Sequence, residues 1–127
     1  MRILLVGVAL SCLLGARVAR AEDGCKNPRT TYDRTYCAAK LFLESDNELN
    51  EVYRDLKKAL PKDVQGKLTE VQREWIAYRD ATCERGGRID VQCNFEVNRA
   101  RTENLRDRLR ECKTGHCQDD QVGKKSW

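Results

Sequence analysis

The sequence predicts an all-α domain: a small antiparallel bundle of three helices, or four with a short N-terminal one, stapled by disulfides. Three observations carry this reading. Apolar residues recur at helical steps of three and four in three separate segments. A proline and a glycine pair interrupt the pattern between those segments. An even set of cysteines remains once an export-type leader is set aside.

The leader comes first. Arg2 opens a short positive region and residues 3–14 form an apolar run, too short to span a bilayer. Ala19-Arg20-Ala21 fits the small-x-small cleavage rule, which places cleavage after Ala21. The rival reading acylates Cys12 after "ALS", but the residues ahead of it match a lipobox poorly, so a lipid anchor is not expected. No later segment is apolar enough to cross a membrane. The organisation expected is a signal peptide over 1–21, a helical domain over 22–112, and a disulfide ring with a polar tail over 113–127. Removing the leader takes away Arg2, Arg17 and Arg20 and no acids, so three of the four surplus positive charges leave with it. The mature chain is near neutral, and nucleic-acid binding loses its support.

The first helical stripe is Leu41, Ser45, Leu49, Val52, Leu56 and Leu60, and Pro61 stops it. Thr30 or Thr31, after Pro28, suits a helix cap, with a break near Cys37 as an alternative start. The second stripe is Val64, Leu68, Val71, Trp75, Tyr78 and Thr82, ended by Gly86-Gly87. The third is Cys93, Val97, Ala100, Leu105 and Leu109, ending near Cys112. Its other faces read "NRARTENLRDRLRE", a solvated, salt-bridged surface whose acids would repel phosphate. No segment of the mature chain shows a convincing strand alternation, and the tail "QDDQVGKKSW" reads as polar and loose apart from Trp127.

Short turns force the three helices to run up, down and up. The third spans about 30 Å at 1.5 Å per residue. Cys25, Cys37, Cys83 and Cys93 gather toward one end, and Cys112 and Cys117 sit at the other. Bonded cysteines need α-carbons within about 7 Å, so Cys112 pairs best with Cys117. Local loop closure favours Cys25–Cys37 and Cys83–Cys93; the alternative bonds Cys37 to Cys83 or Cys93.

The segments "SDNELNEVY", "VQREWIAYRDATC" and "CNFEVNRARTENL" resemble the LprI family of exported bacterial proteins, named for lysozyme inhibition. The family's pattern falls on Asp46, Leu49, Asn50 and Tyr53; on Gln72, Arg73, Trp75, Tyr78, Arg79, Asp80 and Cys83; and on Cys93, Arg101 and Leu105. Cys25 and Cys37 look like its first cysteine pair. The resemblance covers residues 25–109, and Asn98 stands where the family usually has threonine. It implies a small helical envelope domain whose partner is a lysozyme. It supplies no defined inhibitory residue.

The motif residues also have a physical reading. Asp46, Asn50 and Tyr53 share one helix face, as do Gln72, Trp75 and Arg79. Trp75 is expected to anchor the core, with Asp46, Asn50 and Arg79 forming a polar cluster between helices that Arg101 meets from the third.

Two ring-closed turns are candidates for touching a partner. "CKTGHC" carries the single histidine, His116, beside Lys113 and Gly115. It is similar to the disulfide-held, histidine-bearing loop of the Ivy family of lysozyme inhibitors, although here the histidine directly precedes the second cysteine. Its plainer reading is a helix stop, with Gly115 in the left-handed turn. "CERGGRIDVQC" presents Arg85, Gly86, Gly87 and Arg88 at a protruding tip. An enzyme is not expected: one histidine, no unpaired cysteine and no nucleophile-elbow serine leave little for acyl transfer. No cofactor is called for, and a metal held by Cys112, His116 and Cys117 yields to the disulfide in an oxidising compartment. The different-class alternative to an inhibitor is a structural or immunity protein of the envelope.

Overall fold

A computed structural model describes residues 24–127; the leader, the Ala21 cleavage site and Cys12 lie outside them. After a single 3-10 turn at Gly24–Lys26 come α1 (Thr31–Ala59), α2 (Lys62–Cys83), β1 (Glu84–Arg85), β2 (Arg88–Ile89), α3 (Val91–Lys113) and α4 (Asp119–Val122). Among the described residues no helix is long and apolar enough to cross a membrane.

Local chemistry sets the helix limits. Thr30 caps α1: its hydroxyl accepts from the Asp33 amide at 3.0 Å, and the Asp33 carboxylate accepts from the Thr30 amide at 3.0 Å. The backbone bond from Thr30, then its side chain, hold the Asp33 carboxyl below the usual aspartate range. α1 runs through Cys37 without a break. Leu60 is extended, and Pro61 precedes the first residue of α2, where its missing amide is harmless. Asp90 caps α3 through the Cys93 amide at 3.0 Å.

The helices run up, down and up. Tyr53 meets Thr69 and Asp46 meets Arg79, which makes α2 antiparallel to α1. α1 and α3 lie closest together. Their contact includes Ser45, Asn98 and Thr102, small or polar side chains that let two backbones approach. The apolar core is Leu49, Leu56, Leu60, Val64, Leu68, Trp75, Leu105, Leu109 and Val122. Burying side chains such as Leu56 and Leu68 contributes roughly 1.5–3 kcal/mol each.

Four expectations need correction. First, the buried face of α3 is Asn94, Asn98, Arg101, Thr102, Leu105 and Leu109. Val97 is half-buried and Ala100 exposed, because the polar first half of α3 turns inward to meet Ser45, Asp46 and Gln72. Second, Leu41, Tyr78 and Thr82 are exposed, not core. α2 ends beside Phe42, which shares a cleft with Cys83, so the opening turns of α1 run past its end. Third, a small antiparallel ribbon does form, pairing Glu84 with Ile89 and Arg85 with Arg88. Two-residue strands are too short to show alternation. Fourth, the tail is not loose. Val122 is buried in the core, Lys125 pairs with Glu74 at 3.2 Å, and Trp127 packs beside Tyr78 at 6.2 Å between ring centroids.

Candidate partner-binding site

The Cys83–Cys93 turn is built from the helix ends inward. The disulfide joins the last residue of α2 to the first turn of α3, with α-carbons 5.4 Å apart. The Asp90 amide donates to the Cys83 carbonyl at 2.9 Å, closing the ribbon's base. Gly86 and Gly87 have φ of 58° and 72°. Positive φ at both central positions is what a type I′ hairpin turn requires, and glycine meets it without a Cβ penalty. A Cβ added at either glycine would meet open space. The whole ribbon, residues 84–90, is exposed.

Arg85 and Arg88 stand directly opposite one another in the register. Like charges across a strand pair are locally unfavourable. Among the described residues no carboxylate forms an ion pair with either arginine. Ile89 follows at 64 % exposure, and beneath it lies a cleft lined by Phe42, Arg79, Asp80, Cys83, Glu84 and Asn94.

The Cys112–Cys117 ring is arranged differently. Gly115 has φ of 81°, its amide donates to the Cys112 carbonyl at 3.1 Å, and the His116 amide donates to the Glu111 carbonyl at 3.0 Å. These two bonds form a Schellman motif, the commonest way to finish a helix on glycine. Cys112 and Cys117 pack against the core, and the bonded α-carbons are 4.0 Å apart. The His116 Nδ1 lies 3.0 Å from the Thr114 carbonyl of its own turn. Lys113 and His116 remain exposed. The third disulfide ties Cys25 to Cys37, fastening the segment before α1 to its second turn.

The expected polar cluster resolves into separate parts. Asp46 accepts from Asn50 at 3.1 Å, Arg79 at 3.4 Å and Asn98 at 3.4 Å. Arg79 also donates through Nε and Nη2 to Asp80, at 3.0 and 2.9 Å, and lies over the Trp75 ring at 5.4 Å. Gln72 accepts from the Arg101 Nε at 3.0 Å, some way from Asp46 in sequence and network. Tyr53 joins neither group; its hydroxyl meets Thr69 at 3.2 Å.

Sequence reasoning missed Asn98, fully buried in the first network, and Asn104, which accepts from the Arg101 Nη1 at 3.2 Å. It also missed the exposed, stacked pair Tyr32 and Tyr36 in the first two turns of α1. Their spacing of four places them on one helix face, a signal that was present but unattached to any stripe. Among the described residues no cluster of histidine, cysteine, aspartate and glutamate is placed to hold a metal ion.

An uncharacterized protein of Rhizobium meliloti (strain 1021) is 28% identical over 126 aligned residues, covering 80% of this chain and 90% of that protein. No solved structure matches the chain. The sequence pattern described as lysozyme inhibitor LprI matches residues 21–111, a span that contains the Cys83–Cys93 hairpin and stops just before Cys112. On that match over most of its length, the chain belongs to the LprI family.

Proposed function

We propose that this chain is an exported, non-enzymatic protein that inhibits lysozyme-type glycosidases by placing the Cys83–Cys93 hairpin in the catalytic cleft. Residues 1–21 act as the leader, cleaved after Ala21 and delivering residues 22–127 to an oxidising compartment, where three disulfides persist. Residues 22–112 form the family domain, and residues 113–127 close and cover its far end.

The observation that carries this reading is the pair Arg85 and Arg88, side by side at a rigid tip with no acid of their own. Lysozymes work with two carboxylates flanking the scissile bond. Two guanidinium forks suit two carboxylates, because each presents paired donors in a plane. A disulfide-closed hairpin loses little conformational freedom on docking. The competing ring spends its amides on ending α3 and lies beyond the family-matched residues.

The test is a clearing assay: purified mature protein, lysozymes of several types, and a cell-wall suspension. Dose-dependent protection of the wall is expected. Undiminished clearing at molar excess against every lysozyme would leave a structural or immunity protein of the envelope in its place. Within an inhibiting pair, Arg88→Ala is expected to weaken protection and His116→Ala to leave it intact.

A further inference from the structure

Arg101 is a buried cation without a counter-ion. Only 4% of it is exposed. A guanidinium has five N–H donors. Arg101 uses Nε on Gln72 and Nη1 on Asn104, both neutral amides, while its buried Nη2 has no partner. No described carboxylate forms an ion pair with it. Burial lowers its pKa to about 10. Its remaining company is aromatic: the Trp127 ring lies 5.2 Å from the guanidinium carbon.

The same side chain lines a cavity of about 110 Å³ together with Trp75, Tyr78, Val97, Ala100 and Trp127. The walls are largely apolar and aromatic, with Ser126 beside them, and Arg101 is the one charged side chain in that lining. Trp127 comes from the tail, which Val122 and the Lys125–Glu74 pair hold against α2. It covers the cavity from a segment that the family-matched span does not include.

We propose that this cavity is a binding site for a small carboxylate, held by the guanidinium of Arg101 and covered by Trp127. The chemistry follows from the wall. A planar oxyanion accepts from a guanidinium edge and neutralises a charge that burial otherwise leaves uncompensated. The cavity's size admits a carboxylate bearing a short apolar group, which the rings of Trp75 and Trp127 would flank. The site lies on the α2–α3 side and is independent of the hairpin.

Both tryptophans of the chain line this cavity, so their emission reports directly on its contents. The purified protein, with its disulfides intact, is titrated with sodium acetate, and separately with sodium chloride and sodium sulfate at matched ionic strength. A saturable emission change and a rising Tm are expected with acetate alone. Arg101→Lys, which keeps the charge but loses the planar fork, is expected to weaken the acetate response at least tenfold. Where that variant does not fold, Ala100→Leu narrows the cavity from its exposed rim and is expected to weaken the response likewise. No response to acetate, an equal response to chloride or sulfate, or unchanged affinity in a folded variant would each overturn the site.

Discussion

The two ends of the bundle use the same covalent device for opposite purposes. At one end the Cys112–Cys117 ring folds its amides back onto the last carbonyls of α3 and its sulfurs onto the core. The tail then crosses that region and buries Val122. At the other end the Cys83–Cys93 ring holds out an exposed ribbon with two facing arginines. A disulfide shortens the unfolded chain's freedom in either place. What the ring does in the folded protein depends on whether the backbone inside it is consumed by a neighbouring helix or left to solvent.

The comparison is broken most forcefully by removing each ring in turn. The loops closed span separations of 10 and 5 residues. Cys83→Ala with Cys93→Ala, and Cys112→Ala with Cys117→Ala, are each expected to cost about 2–3 kcal/mol in chemical denaturation. Only the first pair is expected to lose inhibition in the clearing assay. Equal loss from both would mean that the ends are not functionally distinct.

Arg85→Ala with Arg88→Ala sharpens the contrast without touching a bridge. Inhibitory affinity is expected to fall tenfold or more, about 1.4 kcal/mol. The Tm should hold or rise slightly, since a like-charge pair is removed. Gly115→Ala is the converse variant. It forces a left-handed residue to carry a Cβ, at about 1 kcal/mol in stability, and leaves inhibition unchanged. A tenfold drop in inhibition there would bring the C-terminal ring back into contention.

The smallest effect concerns the start of α1. The folded Asp33 carboxyl titrates below its ordinary 3.8 because Thr30 hydrogen-bonds its charged form. Its contribution is therefore fully present above that ordinary value and lost as pH falls through the lower folded value. Amide exchange at the first turn of α1 is expected to quicken in acid in the native protein. Asp33→Asn should remove that acid dependence, and the hairpin and C-terminal ring should not share it.

How much of this was legible in the sequence varies along a single helix. In α3, Leu105 and Leu109 announce their burial by spacing and apolarity. Asn98 and Thr102, just upstream on the same face, are equally buried but read as surface, since only a partner makes burial of a polar side chain tolerable. Ser45 entered the first stripe by position, yet its bond from Asn98 at 3.3 Å joins residues 53 positions apart. The hairpin's tip was readable from Gly86-Gly87; the opposition of its two arginines was not, because register belongs to the pairing of strands. The tail was misread for a related reason. Val122 is an isolated apolar residue with no periodicity to connect it to a core.

The sequence by itself determined the helices and their stops. Apolar spacing, Thr30, Pro61, the paired glycines and Gly115 act through nearest neighbours along the chain, and so does the local closure of each cysteine ring. Only the tertiary structure decided which polar side chains go inside, where the tail lies, and that Arg101 sits beneath Trp127 without an acid. Those outcomes depend on groups far apart in the chain meeting at hydrogen-bond distance, and the stability of a buried charge or amide is set by what it meets there.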